Sequence, residues 1–246
     1  NTLKEKEILL IEDACESHGA THNGQKLGSF GLVSNFSFYY AHHMSTIEGG
    51  MICTNDRELY EIFRMLRSHG MLRESLSQDF KESYWKKFPD LNPDFIFAYP
   101  AYNVRNTEIG AIIGRKQLLR LDDNNSLRAL NHKTFLDNLD SEKYRTDFRI
   151  EGSSNYAFNL ILQNADLDFT DRLMQRMLEE KIDFRQGSSG GGNQLRQPYL
   201  RELFGNIYQN YPETDHIHFH GFYIGNFPSL QLQTVKELCL ILNSVE

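Results

Sequence analysis

The chain has 246 residues, 40% of them hydrophobic and 24% charged, with a formal net charge of −7. That is enough apolar material for a sizeable core and one or two domains. The acidic balance and the lack of a basic run speak against a nucleic-acid partner. No apolar run reaches the length of a membrane span, and no signal peptide is visible. Cys15, Cys53 and Cys239 are too scattered to form a disulfide framework, which points to reducing cytoplasm.

In chain order, Ile8–Ile11 is a continuous apolar run, the pattern of a parallel strand covered on both faces. It ends on Glu12 and Asp13, and Ala14–Gly19 reads as a helical turn stopped by glycine. His22–Gly31 is glycine-rich and reads as a loop or irregular hairpin. Phe36, Phe38, Tyr39 and Tyr40 form a short apolar strand with Ser37 inside it. His42, His43 and a polar turn to Glu48-Gly49-Gly50 follow, and Met51–Thr54 begins another strand. Reactive side chains thus fall on a loop at a strand end, where open α/β sheets bind ligands.

Leu59, Ile62, Phe63 and Leu66 have helical spacing over 56–68, with Asn55-Asp56 as the N-cap. Residues 71–100, aromatic and broken by Pro89, Pro93 and Pro100, read as a long excursion with at most one short helix. A helix over 107–121 carries a small-residue face, Gly110, Ala111 and Gly114, suited to close packing. A polar helix, 126–138, follows a domain boundary near 122–125, which gives domains 1–124 and 125–246. The second part reads as strand 156–162, helix 170–181, short strand 183–185, a flexible GSSGGG loop at 187–192, strand 216–224 and helix 230–243. That order suggests a smaller α+β domain. On strand 216–224, His216, His218 and His220 would share a face, but no carboxylate or cysteine completes a metal site there.

Five segments carry a resemblance in register. LLIEDACESHGATHNGQKLGSFG, SFYYAHHMSTIEGG and AYNVRNTEIGAIIGRKQL closely resemble the sugar-nucleotide aminotransferase family of fold-type-I pyridoxal phosphate enzymes. FRQGSSGGGNQLRQPYLR and DHIHFHGFYIGN resemble its sugar dehydratase branch. The implied fold is α/β: a partial large domain with a mixed sheet, plus a smaller C-terminal α+β domain. The implied cofactor is pyridoxal phosphate, worked in the pyridoxamine form, with glutamate as amino donor and a nucleotide-linked 4-keto-6-deoxy sugar as substrate.

The resemblance also assigns residues. Asp13 stands where a carboxylate keeps the cofactor ring nitrogen protonated. Ser37 stands where a hydroxyl meets the cofactor phosphate, His18 near the cofactor, and Asn103 where an asparagine reaches the phosphate of a neighbouring subunit, which implies a homodimer. Glu16, one turn after Asp13, is placed near the reacting sugar. His42 replaces the lysine that family aminotransferases link to the cofactor. Imidazole cannot form that link but can move a proton near neutral pH, so the cofactor is implied to be held non-covalently and the reaction to be loss of the C3 hydroxyl. Arg185, Arg196 and the glycine loop match a region near the substrate, where arginine and backbone amides suit phosphate.

A branch that couples this step to an iron–sulfur cluster needs about four clustered cysteines, which this sequence does not supply. Ile47 stands where the family usually has glycine. The family's first strands precede the region matched here, so an incomplete sheet with open edges and exposed apolar surface is expected. The readings in play are a sugar 3-dehydratase or part of one, a cofactor-free relative, and an aminotransferase, the last disfavoured because no lysine lies between Phe30 and Gly50.

Overall fold

The structure, a computed structural model, describes residues 2–187 and 191–246. It divides into two compact units, Asn1–Leu121 and Asp122–Glu246.

The first unit opens with a short helix α1 (Thr2–Glu5) and strand β1 (Ile11–Asp13). A ribbon of β2 (Thr21–His22) and β3 (Gln25–Lys26) follows, then β4 (Val33–Ser37) and β5 (Gly50–Thr54). Helices α2 (Arg57–Leu66), α3 (Gln78–Lys87) and α4 (Glu108–Leu118) come next. The ribbon turns at Asn23-Gly24, both with positive φ, the turn that suits the twist of paired strands. The main sheet has the order β1-β4-β5. β1 runs parallel to β4, with Ile11 opposite Val33 and Asp13 opposite Asn35. β5 runs antiparallel, with Ser37 opposite Gly50.

The apolar run at 8–11 is not covered on both faces. Only Ile11 of that run lies in β1, which is an edge strand, and Leu9 is 74% and Ile11 67% exposed. Leu10 is half-buried against Gly31, but among the described residues no further strand joins β1 on its outer edge, so Ile8, Leu9 and Ile11 stay exposed. The excursion over 71–100 contains a ten-residue helix, α3, whose N-cap Ser77 accepts from the Phe80 N–H. Phe80, Tyr84 and Trp85 pack on a small cluster of Met65, Leu72 and Ile96. Asp56 caps α2, accepting from Leu59 N–H at 2.9 Å.

The second unit contains most of α5 (Leu121–Asn138), then β6 (Ala157–Ile161), α6 (Leu167–Glu179) and β7 (Phe184–Gln186). Helices α7 (Pro198–Phe204) and α8 (Pro212–His220), strand β8 (Gly221–Gly225) and α9 (Leu232–Asn243) complete it. Its antiparallel sheet has the order β6-β8-β7. Alternation puts Phe158, Leu160, Phe222 and Ile224 on one face, in a core shared with Phe135, Leu173 and Leu242. Phe135 and Phe158 stack at 4.5 Å between ring centroids. Tyr144 is fully buried there, and its hydroxyl donates to the Leu242 carbonyl at 2.6 Å.

Residues 216–224 are not one strand. Residues 216–220 are the end of α8, and only Gly221–Gly225 pair in the sheet. The alternating His and aromatic residues imitate a strand. Pro212 at the first turn with Glu213 and Asp215 beside it starts a helix instead, and the chain turns extended at Gly221. On the helix His216 and His220, one turn apart, face together with ring centroids 5.2 Å apart, and His218 points elsewhere. His216 Nε2–H donates to the Leu162 carbonyl at 2.7 Å. His220, buried, meets the Thr170 hydroxyl at 2.7 Å, and His218 Nδ1 accepts from Asn193 N–H at 3.2 Å. Of the GSSGGG segment, residues 188–190 lie outside the described residues.

Candidate active site

The carboxyl ends of β1 and β4 bring the first group together. Asp13 ends β1 beside Asn35, and its Oδ1 accepts from Asn35 Nδ2 at 3.0 Å and from Cys15 N–H at 3.2 Å. The hydrogen bond from the Cys15 side chain, then that from its backbone N–H, holds the Asp13 carboxyl below the usual carboxylate range, with Asn35 and the charge of His42 adding to the effect. Asp13 is therefore ionised and exposed at neutral pH. The same neighbourhood pushes the Cys15 thiol up to about 11, burial first and the Asp13 carboxylate second. Asn35 and Ser37 are two apart on β4, so they share a face, and Asp13 reaches that face through Asn35. Asn35 and Cys15 were not singled out by sequence reasoning, because the contact depends on the register of β1 against β4.

Glu12, the neighbour of Asp13, does a different job. Its two oxygens accept from Gly28, Phe30 and Gly31 N–H groups at 2.6–2.7 Å. Burial raises its pKa, but the three amides outweigh burial and the net shift is down. The alternating strand points Glu12 away from Asp13 and spends it on closing the glycine loop.

The loop after β4 is closed by its own backbone. Phe38 N–H donates to Gly49 O, and Thr46 N–H donates to Phe38 O, both at 2.8 Å. His42 sits within this closure, with Nε2 3.9 Å from Glu16 Oε1. The side chain of His42 is 13% exposed and that of Glu16 39%, so the pair lies at a surface that solutes can reach. The packing that holds the loop comes from α4: a Cβ on Gly114 would stand 3.1 Å from Thr46 Cγ2, and one on Gly49 2.6 Å from Thr46 Oγ1. Gly114 of α4 thus seats the Thr46 turn, while Gly110 lies over Asn106 at the start of the helix and Ala111 is exposed.

Ile47 has φ +73° in that turn. A β-branched residue in the left-handed region is strained by about 1–2 kcal/mol, and the side chain, 67% exposed, gains little burial in return. Glycine would adopt this conformation without that strain. Ile47→Gly is expected to stabilise the first unit by about 0.5–1 kcal/mol, after glycine's larger loss of backbone freedom is set against the relieved strain. A raised urea midpoint followed by Trp85 fluorescence would show it; a lowered midpoint would refute it.

His18 and His43 are both buried, 3% and 5% exposed, and their rings stack at 5.7 Å and 22°. His18 also meets Phe36 and Phe38 edge-on, so it packs against the side of β4 opposite Asn35 and Ser37. Burial, helped by the charge of His42, lowers the His18 pKa to about 4 against a hydrogen bond with the Ser37 backbone, so His18 is neutral at physiological pH. Asn103 lies in a loop of the first unit, where its Oδ1 accepts from the backbone N–H and Nε of Arg105 at 3.3 and 3.1 Å.

The two arginines are in the second unit. Arg185 projects from edge strand β7, over the ring of Tyr223 at 5.7 Å. Arg196 is bound within the fold: Nε and Nη2 each meet Asp215 at 2.7 Å, and its guanidinium lies 4.1 Å from the Tyr208 ring and 4.9 Å from Phe219. The hydrogen bond from Arg196 keeps Asp215 ionised, and Asn193 supports it. The charge of Arg196 is thus already neutralised.

Among the described residues no group of three His, Cys, Asp or Glu side chains is placed to hold a metal ion. No helix among them is long and apolar enough to cross a membrane.

Residues 2–243 match the DegT/DnrJ/EryC1/StrS aminotransferase family. The chain belongs to that family. GDP-4-keto-6-deoxy-D-mannose 3-dehydratase of Escherichia coli O55:H7 (strain CB9615 / EPEC) is 32% identical over 223 residues, which are 90% of this chain and 57% of that protein. The enzyme of the same name from Yersinia pseudotuberculosis is 32% identical over 239 residues, 96% of this chain and 60% of the relative. A GDP-perosamine synthase of Caulobacter vibrioides is 40% identical, but over 49% of this chain. The solved E. coli GDP-4-keto-6-deoxy-D-mannose-3-dehydratase with bound hydrated PLP superimposes with a TM-score of 0.78 at 28% identity, over 98% of this chain and 61% of that one. The fold is therefore that of fold-type-I pyridoxal phosphate enzymes, and the chain spans about three fifths of the length of these relatives.

Proposed function

We propose that this chain carries the proton-transfer and ring-binding residues of a pyridoxamine phosphate-dependent sugar-nucleotide 3-dehydratase. The substrate is a 4-keto-6-deoxy sugar nucleotide, the amino donor is glutamate, and the setting is cytoplasmic deoxysugar and lipopolysaccharide synthesis by a homodimer. The observation that carries the reading is His42: a histidine where family aminotransferases have lysine, set 3.9 Å from the Glu16 carboxylate at the mouth of the β1–β4 cluster. The relatives named as 3-dehydratases support it.

The residues present fit the cofactor. An ionised, exposed Asp13 suits a protonated ring nitrogen, and the neighbouring Ser37 hydroxyl suits a phosphate oxygen. When bound, the cofactor supplies a conjugated ring that takes up electron density as the sugar C–O bond breaks. Asp13, as a carboxylate, would stand against the ring nitrogen and keep it charged. Asn35 and the Cys15 amide fix the direction of that carboxylate. His42 takes up and returns the proton on its ring nitrogen, and Glu16 steadies the charged imidazole that results. With no lysine between Phe30 and Gly50, the cofactor would be held by charge and hydrogen bonds.

The GDP-perosamine synthase relative favours a second reading, an aminotransferase. The absence of a lysine between Phe30 and Gly50 weighs against it. The test is an absorption titration: pyridoxal phosphate added to the purified protein, then glutamate. A protein-bound band that moves to the pyridoxamine form on glutamate is the expected result. Failure to bind the cofactor at any concentration would assign the activity to a longer polypeptide than this one.

A further inference from the structure

We infer that Glu12 is a positioning residue: its carboxylate locks the register of β1 against β4, so that Asp13, and no neighbour of it in the chain, meets Asn35 and Cys15. β1 has little else to fix it. It is three residues long, lies at the edge of the sheet and pairs with β4 alone. Parallel pairs are the weaker kind, and register is normally set by apolar side chains that only one register can bury. Ile11 and Leu9 stay exposed and give no such signal. A slip of one residue would turn every side chain of β1 to the opposite face. In one direction it would set Glu12 opposite Asn35, in the other Ala14. In both, Asp13 would leave the face that carries Asn35 and Ser37.

Glu12 opposes that slip from the other face. Its Oε1 accepts from Phe30 N–H at 2.7 Å and Gly31 N–H at 2.6 Å, and its Oε2 accepts from Gly28 N–H at 2.6 Å. Those amides belong to the segment that leads into β4 at Val33, so the carboxylate joins a fixed point of β1 to a fixed point of β4. The two backbones are already close there. Leu32 N–H donates to the Leu10 carbonyl at 2.9 Å, and a Cβ on Gly31 would stand 2.6 Å from the same oxygen. The amide segment is anchored in turn: the Ser34 hydroxyl donates to the Gly28 carbonyl at 2.8 Å, and a Cβ on Gly28 would strike the Phe36 ring.

Three converging N–H groups suit a carboxylate, which only accepts and carries charge. Glutamine would offer one acceptor and turn a donor toward the third amide. Aspartate keeps the charge but draws it back by one methylene. With the register held, Asp13 Oδ1 accepts from Asn35 Nδ2 at 3.0 Å and Cys15 N–H at 3.2 Å, and the Cys15 thiol bonds to the same carboxylate. The inference deepens the proposed function and rests on it only for what Asp13 would meet at that face.

Cys15 reports the position of Asp13 without any cofactor. Burial first, and the Asp13 carboxylate next, push its thiol up to about 11. Only the thiolate reacts, so alkylation by iodoacetamide is slow while the contact holds. The rates at Cys15 and Cys53 of the cofactor-free protein would be read peptide by peptide by mass spectrometry at about pH 8.5. Glu12→Gln is expected to speed Cys15 about three- to tenfold relative to Cys53, approaching Asp13→Asn, which removes the carboxylate outright. Glu12→Asp should give a smaller rise and answers the same question where the glutamine variant does not fold. Ser34→Ala loosens the same segment without touching the carboxylate and should leave Cys15 unchanged. Unchanged Cys15 in both Glu12 variants, with the Gly28, Phe30 and Gly31 amides losing exchange protection, would mean that Glu12 closes the loop and nothing more. An equal rise at Cys53, or the same rise in Ser34→Ala, would mean general loosening. Any of these results overturns the inference. The experiment contains no pyridoxal phosphate, so its failure is distinguishable from failure of the dehydratase reading, which the absorption titration reports separately.

Discussion

His42→Gln should lower the rate of C3 deoxygenation by about 10²–10⁴-fold, the usual worth of a positioned acid–base group. Glutamine keeps a polar side chain of similar reach in the loop but cannot take up and return a proton. Uptake of pyridoxal phosphate should stay within about twofold of the unaltered protein, because Asp13 and Ser37 are untouched. The rate would be followed by release of the dideoxy product from the 4-keto-6-deoxy sugar nucleotide. A variant with the full rate would place the proton carrier elsewhere. His42→Lys gives the complementary result: a primary amine at this position should link to the cofactor, and borohydride reduction should then add the cofactor's mass at residue 42. If no such adduct forms, position 42 does not face the cofactor.

Phe158→Ala should destabilise the second unit by about 3–5 kcal/mol. The ring is fully buried, stacks on Phe135 at 4.5 Å, and lies on β6 opposite Ile224, so its loss opens a cavity lined from both the sheet and α5. Hydrogen exchange of β6 and β8 amides is the measurement, with protection falling steeply. Phe95→Ala supplies the contrast, since Phe95 is 56% exposed and its loss should cost about 0.5 kcal/mol or less. Equal effects of the two changes would mean that the Phe158 face is not the core of this unit.

Several features were legible because they are local. The Asp56 cap satisfies an amide three residues away. Of the small residues read as a packing face on the 107–121 helix, only Gly114 meets the Thr46 turn; Gly110 lies over Asn106 and Ala111 is exposed. The strand read at Phe36–Tyr40 was displaced: β4 is Val33–Ser37, and Phe38, Tyr39 and Tyr40 fall in the loop that carries His42 and His43, for which likeness to the family only suggests roles. The strand read over 216–224 failed for an equally local reason: alternating His and Phe satisfies period two, while Pro212 and the acidic first turn decide for a helix. Ile8–Ile11 has the composition of a covered strand, but coverage belongs to neighbouring elements, and in this chain β1 is an edge.

What the sequence supplied by itself was the set of groups on which the proposed chemistry rests: a carboxylate ending an apolar strand, a hydroxyl and a histidine where the resembling aminotransferases have lysine, and no lysine between Phe30 and Gly50. Residue types and short spacings carry that information because they set which protons can move and which links can form. Only the tertiary structure decided which charges remain available. Asp13 and Glu12 are adjacent acids, yet strand alternation sends Glu12 into three backbone amides and leaves Asp13 at the surface. Arg185 and Arg196 look equivalent in sequence, yet Arg196 is neutralised by Asp215 while Arg185 stands on an open sheet face beside Tyr223. Those outcomes depend on register and on contacts between residues distant in the chain, which no spacing along it encodes.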